Sequence, residues 1–254
     1  MVELSTVDLM IAATLVLLLA LLSLRLQSNI SKQLIIASIR TAVQLTLIGL
    51  VLKVLFANAS LGWVMLLSTV MLLVAGREVM ARQERRFTGW WGYAVGTFSM
   101  FLSSFAVTVF ALVVILGEDP WYTPQYAIPL LGMLLGNTMN GIAIAMDRLT
   151  HTAWEQRGII EARLMLGERW DAAISEYKRQ AIRIGLIPII NAMAAAGIVS
   201  LPGMMTGPIL AGAPPVEAVK YQILIMFLIS AGTGLGTLAA VSIGARHLFD
   251  ERQR

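Results

Sequence analysis

Residues 91–116 read WGYAVGTFSMFLSSFAVTVFALVVIL and contain no charged side chain. A helix of roughly 20 residues, at 1.5 Å per residue, is enough to cross a hydrocarbon core about 30 Å thick. A longer run that is this uniformly apolar is typical of a transmembrane helix. The bilayer is therefore the solvent for at least this part of the chain.

The remainder of the chain has the same character on both sides of this stretch. Hydrophobic residues make up 57% of the 254 residues and charged residues only 13%, whereas soluble domains contain about 25% charged residues. We therefore predict an all-α, polytopic transmembrane bundle of about seven transmembrane helices. The approximate spans are Val7–Leu24, Leu34–Phe56, Leu61–Ala75, Trp91–Leu116, Ile128–Met146, Ile184–Ser200 and Val216–Ala245.

The basic residues between the spans predict the orientation. Lysine and arginine occur after the first, third, fifth and last spans, and the second and fourth connections carry none. The positive-inside rule then places the N-terminus outside and the C-terminus in the cytoplasm. The net charge of +4 comes from these loops and forms no basic stripe with interleaved aromatics, so nucleic acid is not a predicted partner.

One connection, residues 147–183, is long, polar and free of proline. We expect it to be a cytoplasmic helical segment within a single transmembrane domain covering residues 1–254. Gly167 interrupts its helical pattern and predicts a turn between two short helices. The apolar residues beside this turn either dock in a partner's groove or pack on the protein's own inner surface; they are Leu164, Met165, Leu166 and Trp170.

Several polar side chains lie inside the predicted spans. Asn137 and Asn140 are three residues apart and so share one helix face, and Asn191 lies in the sixth span. Amides are costly when they face lipid, so these residues line either a polar translocation path or interhelical contacts. Arg40, in the second span, either snorkels to the interface or pairs with a polar group across the bundle.

Methionines accompany these amides. Met133 and Met139 lie in the fifth span, and Met204 and Met205 follow the sixth. Thioether sulfur suits Cu(I) better than ferrous iron, and methionine is often a flexible filler of apolar cores. These four residues are candidates for contact with a metal or substrate, and the identity of any metal stays open.

Glycine and proline mark two further features. We predict that Ser200–Pro215 forms a re-entrant or outer-mouth hairpin, because Pro202, Gly203, Gly207 and Pro208 interrupt the helical pattern there. Gly232 and Gly236 predict close helix packing. No Gly-x-x-x-x-Gly-Lys-Ser/Thr motif occurs, so the chain has no nucleotide-binding loop of this type, and any energy it uses is expected from a partner or a gradient.

Taken together, four blocks resemble the FetB-type iron-export permeases of ATP-binding cassette (ABC) transporters, a family that includes aluminium-tolerance proteins. The N-terminal half is similar mainly in its pattern of spans, with Arg40 and Gln44 as its most family-like polar positions. The four blocks are Ile128–Met139 (IPLLGMLLGNTM), the Leu166-Gly167 loop, Ser200–Gly207 (SLPGMMTG) and Ala218–Ile223 (AVKYQI).

The resemblance implies a transport subunit of the inner or plasma membrane that exports a metal ion (iron) or a related substrate. It implies a separate ABC ATPase partner that binds ATP and Mg, with no cofactor in this chain, and we expect a homodimer in membrane lipid. Glu161, Leu166 and Gly167 are the implied coupling residues. The candidate translocation path comprises Asn137, Asn140, Asn191, Arg40 and Gln44.

Two other functions remain open from the sequence. A gradient-driven carrier or channel would use the intramembrane polar residues without ATP. A membrane scaffold would anchor a cytoplasmic partner and transport nothing.

Overall fold

The computed structural model describes residues 5–25, 31–57, 60–85, 87, 90–117 and 119–249. The regular structure of these residues is helical, which confirms the all-α prediction. The helices are α1 (Thr6–Arg25), α2 (Ser31–Ala57), α3 (Leu61–Ala81), α4 (Trp91–Leu116), α5 (Pro124–Glu155), α6 (Arg157–Met165), α7 (Trp170–Ala173), α8 (Ser175–Ala195), α9 (Gly203–Leu210) and α10 (Pro215–His247).

Six helices of the described part, α1 to α5 and α10, are long and apolar enough to cross a membrane. They coincide with six of the predicted spans, so the polytopic membrane character is confirmed. The prediction of a span over Ile184–Ser200 differs from the structure, because α8 ends at Ala195 and a backbone bridge joins Ala196 to Ser200. Gly197 has a φ of 82° there, a conformation that breaks a helix.

The part of α8 that follows its last charged residue, from Ile184 to Ala195, is about 18 Å long at 1.5 Å per residue. This length is less than the hydrocarbon thickness of roughly 30 Å. Whether the segment completes a seventh crossing, and on which side each terminus lies, stays a prediction.

The chain divides into two compact units, Met1–Ala59 and Ser60–Arg254. In the first unit α1 packs against α2, and most of the large apolar side chains of both helices are exposed. Helices that are apolar on all sides are typical of a lipid environment. The single transmembrane domain over the whole chain stays a prediction.

In the second unit, α5 is the central helix and packs against α3, α4, α8 and α10. Buried side chains of α5, such as Ile142 and Met146, form one core with side chains of its neighbours, such as Val79, Met100 and Val241. Since α5 carries Asn137 and Asn140, these two predicted path residues lie on the central helix of the unit.

Glycines let the helices of this unit approach closely. A Cβ atom at Gly185 of α8 would lie 2.7 Å from the Ala145 Cβ and 2.7 Å from the Gly141 carbonyl oxygen, both on α5. On α10, a Cβ at Gly232 would lie 2.9 Å from Leu134, and one at Gly236 would lie 2.7 Å from the Ser103 hydroxyl. The close packing predicted for Gly232 and Gly236 is therefore confirmed.

The connection at residues 147–183 is helical, as predicted, and the segment Ser200–Pro215 contains a short helix. Residues 147–155 continue α5 without a break, and α6, α7 and the start of α8 account for most of residues 156–183. The prediction that Gly207 and Pro208 interrupt the helix after the sixth span is wrong, because both lie inside α9. The interruptions are at Pro202, which precedes α9, and at Gly212, whose φ is 94°.

Candidate functional site

A polar cleft of about 320 Å³ lies where the end of α3 meets α5 and α8. We call it the polar cleft, and its lining residues are Arg82, Glu84, Ala143, Ile144, Asp147, Arg148, His151 and Ile184. Its volume is within the range of pockets that hold small molecules. Arginine, histidine and carboxylate side chains occur together in it, so it presents both signs of charge.

Long-range hydrogen bonds fasten the end of α3 to α5 at this cleft. The Arg82 guanidinium donates to the Asn140 side-chain oxygen, and the Glu84 backbone N–H donates to the Asp147 carboxylate at 2.8 Å. Hydrogen bonds to charged groups are about twice as strong as neutral ones. Asn140, predicted to line a path, therefore binds a residue of the polar cleft without lining the cleft itself.

Two further side chains of the polar cleft differ in their hydrogen bonding. The Nε atom of Arg148 is buried and has no hydrogen-bond partner within the described structure, and a buried unpaired donor costs about 1–3 kcal/mol. His151 lies 3.2 Å from Glu155, one turn further along α5. The cleft thus contains a guanidinium that a polar substrate or water can satisfy.

A second cavity, of about 350 Å³, lies toward the opposite end of α5. We call it the apolar cavity. It is bounded by the last turn of α4, the first turns of α5 and α10, and α9. Met133 and Met204, which are far apart in the sequence, both line it, together with Tyr126, Pro129, Leu130, Tyr221 and Ile225.

The other two candidate methionines lie elsewhere. Met139 packs against the buried core, and Met205 is itself buried without lining the apolar cavity. No group of three or more His, Cys, Asp or Glu side chains that could hold a metal ion occurs among the described residues.

The two cavities lie along the same face of α5. Residues spaced by three or four positions lie on one side of a helix, and ten residues correspond to a rise of about 15 Å. On α5 the apolar cavity ends at Met133 and the polar cleft begins at Ala143, and Asn137 and Asn140 lie between them. We call this the path face; it comprises Met133, Asn137, Asn140, Ile144, Asp147 and His151.

The other predicted path residues are not brought into these cavities. Asn137 donates to the Met133 carbonyl oxygen of its own helix at 2.8 Å. Asn191 is exposed on α8 and lines neither cavity. Arg40 and Gln44 lie on α2, within the N-terminal unit, so their place in a path stays a prediction.

The turn at Gly167 forms a compact helix-turn-helix, which we call the knob (α6, residues 166–169 and α7). Gly167 has a φ of 89°, its N–H donates to the Leu164 carbonyl at 3.0 Å, and the Glu168 N–H donates to the Arg163 carbonyl at 3.1 Å. This pair of bonds is the Schellman motif, which satisfies the last carbonyls of a helix around a left-handed residue. The predicted turn between two short helices is therefore confirmed.

Side-chain bonds brace the knob from inside. The Arg163 Nε lies 2.8 Å from the Glu168 carboxylate, and Arg163 Nη1 donates to the Ala173 carbonyl of α7 at 3.2 Å. Both partners of the ion pair are about one-third exposed, so the pair is partly shielded from water and from salt. One arginine thus connects the two helices across the turn.

The apolar residues of the knob divide between the two predicted uses. Met165 is 82% exposed and Leu166 is 88% exposed, at the tip of the turn. Trp170 instead packs on the protein's own Phe249, with ring centroids 5.7 Å apart, and Leu164 is half-buried. Glu161 is exposed on α6. The tip therefore presents two large apolar side chains that the chain itself does not cover.

The amino-acid sequence of this chain matches a known protein family and several individual proteins. A model of the family described as "Uncharacterised protein family (UPF0014)" matches residues 6–249. The chain belongs to this family. It is 40% identical over 230 residues to a UPF0014 membrane protein of Synechocystis sp., an alignment that covers 89% of this chain and 86% of that protein.

Two other relatives of this UPF0014 chain have more descriptive names. One is "Protein ALUMINUM SENSITIVE 3" of Arabidopsis thaliana, 33% identical over 91% of this chain and 81% of that protein. The other is "Probable iron export permease protein FetB" of Escherichia coli, 32% identical over 85% of this chain and 81% of that protein. They confirm the resemblance that the sequence blocks indicated. No solved structure matches the chain.

Sequence reasoning missed a seam of hydroxyl groups in the core of this UPF0014 protein. Ser104 donates to the Thr138 hydroxyl at 3.4 Å between α4 and α5, and Thr233 and Thr237 of α10 are buried nearby against Gly141. The turn of α4 that carries Ser104 is π-helical, a distortion frequent at functional sites. The Ser103-Ser104 pair inside an apolar span was the available signal.

Proposed function

We propose that this chain is the permease subunit of an ABC transporter that exports a metal ion (iron) or a related substrate. The observation that carries the proposal is the knob, whose exposed Met165 and Leu166 are held on a rigid turn. Exposed apolar side chains on a braced element favour docking into a partner's groove. The name of the Escherichia coli relative, "Probable iron export permease protein FetB", supports the transport role and the substrate class.

The knob is attached directly to the helix that lines both cavities. α5 ends at Glu155 and α6 begins at Arg157, with the Gln156 N–H still donating to the Thr152 carbonyl at 2.9 Å. Because a single residue separates the two helices, a displacement of the knob would tilt or rotate α5. In our proposal Glu161, Leu166 and Gly167 transmit the motion of a partner ATPase, which binds ATP and Mg, to the path face.

The path face supplies the route. The polar cleft and the apolar cavity lie on the same side of α5, separated by about 15 Å of helix that carries Asn137 and Asn140. A transporter that exposes one cavity at a time needs such a separation, and a change in the tilt of α5 would alter it. We propose that Asn137 and Asn140 contact the substrate as it passes, and that Met133 and Met204 line its exit or entry.

We further propose a homodimer that recruits two ATPase subunits and is surrounded by membrane lipid, with residues 147–183 as its cytoplasmic coupling segment. The amides of Asn191 and Gln44 and the guanidinium of Arg40 would then contribute to the path from other helices. Charged and amide groups within spans usually face a protein interior or a water-filled cavity.

The knob is tested by substituting its most exposed residue. Leu166→Asp replaces an apolar contact by a charge and should weaken capture of an ABC ATPase at least tenfold, since burying a leucine contributes about 1.5–3 kcal/mol. Ile198→Asp is the matched control, because Ile198 is also 88% exposed but lies between α8 and α9. Tagged protein in mild detergent is incubated with membranes of the source cell, and captured proteins are identified by mass spectrometry.

Wild type and Ile198→Asp should both capture an ATPase of the ABC class, whereas Leu166→Asp should not. Equal capture by all three proteins would remove the knob from the coupling role. Failure of the wild type to capture any such ATPase would refute the ABC assignment.

A gradient-driven carrier is the second candidate, and the titratable groups of the polar cleft favour it. Asp147 and His151 lie on the path face and could exchange protons during transport. Transport by proteoliposomes that contain only this protein and a proton gradient, without any ATPase, would support the carrier. Transport that requires the ATPase and ATP would support the ABC permease.

A further inference from the structure

A tryptophan and two arginines form a basic cluster where α5 meets the first turn of the knob. The Arg85 guanidinium carbon lies 4.7 Å from the centre of the Trp154 ring, and that of Arg157 lies 4.5 Å from the same centre. These three residues, which we call the Trp154 cluster, come from the segment after α3, the end of α5 and the start of α6. One ring therefore holds two positive charges close together.

The stacking leaves the hydrogen-bonding edges of both guanidinium groups available. A guanidinium that lies over an aromatic ring uses its face, while its N–H donors point outward in its plane. Within the described structure neither Arg85 nor Arg157 forms an ion pair with a carboxylate. The nearby Glu155 carboxylate instead faces His151 at 3.2 Å. The cluster thus has two preorientated donor groups and an uncompensated positive charge.

The position of the cluster along the helices points to the membrane interface. Arg85 follows the end of α3 by four residues, and α4 begins soon after at Trp91. Trp90 is 79% exposed and Trp91 is 55% exposed. Exposed tryptophans at the ends of spans are typical of the headgroup level of a bilayer. Because Arg85 contacts Trp154, the whole cluster lies close to that level.

We propose that the Trp154 cluster binds the phosphate of an anionic phospholipid headgroup. Planar guanidinium groups match the oxygens of a phosphate in pairs, and basic sites between spans at the cytoplasmic interface recognise anionic headgroups. A bound lipid would bridge the loop after α3 and the start of α6. This site does not depend on the transported substrate or on the energy source.

The test compares two lipids on the purified, full-length protein. Equal amounts of phosphatidylglycerol and phosphatidylcholine are added in mild detergent, and native mass spectrometry measures the ratio of the two bound lipids. Wild type should prefer phosphatidylglycerol. Arg85→Gln and Arg157→Gln should each lower this preference about fivefold. Arg169→Gln is the matched control, because Arg169 is an exposed arginine already bound to Asp171 at 3.2 Å.

Substitution of the ring separates a built site from general charge attraction. Trp154→Leu keeps both arginines but removes the surface that orients them, so it should lower the preference as strongly as loss of one arginine. Trp154→Phe keeps a ring and should retain most of the preference. Size-exclusion profiles confirm that each variant remains folded.

Four results would overturn the proposal. The first is an equal binding of both lipids by wild type. The second is a preference that survives Trp154→Leu and both arginine substitutions, or that falls equally with Arg169→Gln. The third is displacement of phosphatidylglycerol by excess inorganic phosphate, which would assign the site to free phosphate. Variants that lose ATPase capture but keep the lipid preference would reassign the cluster to a protein contact.

Discussion

Substitution of Gly167 by alanine tests whether the backbone of the knob sets its rigidity. Gly167 has a φ of 89°, and nothing lies within 4 Å of the position that a Cβ atom would take. The substitution therefore creates no clash, and its whole effect is the conformational cost of a left-handed L-residue, roughly 1–2 kcal/mol. A change of this size alters the population of locally opened molecules by a factor of about 5–30.

Limited trypsin digestion after Arg169 measures this opening. Arg169 precedes α7 and lies in the turn, and cleavage of a folded segment tracks the population of its open form when opening and closing are fast. Gly167→Ala should be cleaved about 5–30 times faster than wild type. Gly167→Asn should fall between them, because asparagine adopts positive φ more readily than other non-glycine residues.

Gly158→Ala is the control, since Gly158 lies within α6 in open space and with an ordinary φ. It should be cleaved no faster than wild type. Equal cleavage of Gly167→Ala and Gly167→Asn at the wild-type rate would refute the argument that the left-handed turn stabilises the knob. The same ranking should appear in ATPase capture if the knob is the docking element.

Three further predictions concern packing, the path and the brace of the knob. Gly185→Ala should lower the thermal unfolding midpoint in detergent, because overpacking costs about 1–3 kcal/mol. Gly234→Ala, in open space on α10, should leave the midpoint unchanged, and equal midpoints for the two variants would contradict the close approach of α5 and α8. Asn140→Leu should reduce transport more than Asn191→Leu, because Asn140 accepts a hydrogen bond from Arg82 of the polar cleft, whereas Asn191 lines neither cavity. Equal rates would remove Asn140 from the path. Arg163→Gln should speed the tryptic cleavage of the turn about fivefold through loss of its ion pair, worth about 1 kcal/mol, and unchanged cleavage would exclude a bracing role.

Local features of this protein were predictable from the sequence. The uncharged run at Trp91–Leu116 predicted a membrane helix, and Gly167 predicted a turn that the structure contains. The prediction for Gly207 and Pro208 failed because a short helix accommodates both residues, and Gly212 ends it instead. In each case the outcome depended on residues within a few positions of one another.

The pairings at the candidate site were not predictable in the same way. Arg82 and Asn140 are 58 residues apart and Glu84 and Asp147 are 63 apart, and no local pattern connects them. Membrane helices are apolar on most sides, so periodicity does not indicate which face meets which neighbour. Asn140 and Asn191 illustrate the limit, since both are exposed amides, yet Asn140 accepts a hydrogen bond from Arg82 and Asn191 lines neither cavity.

The sequence by itself determined that this is an all-α membrane protein of the UPF0014 family with a glycine turn in a polar connection. Composition, span length and short motifs carry that information, because the bilayer requires apolar residues over a set length of helix. Only the tertiary structure decided that two cavities share the path face of α5, that Arg163 braces the knob and that Arg85 and Arg157 meet on Trp154. These contacts depend on how closely particular helices pack, and small residues such as Gly185 control that packing through steric fit rather than through hydrophobicity.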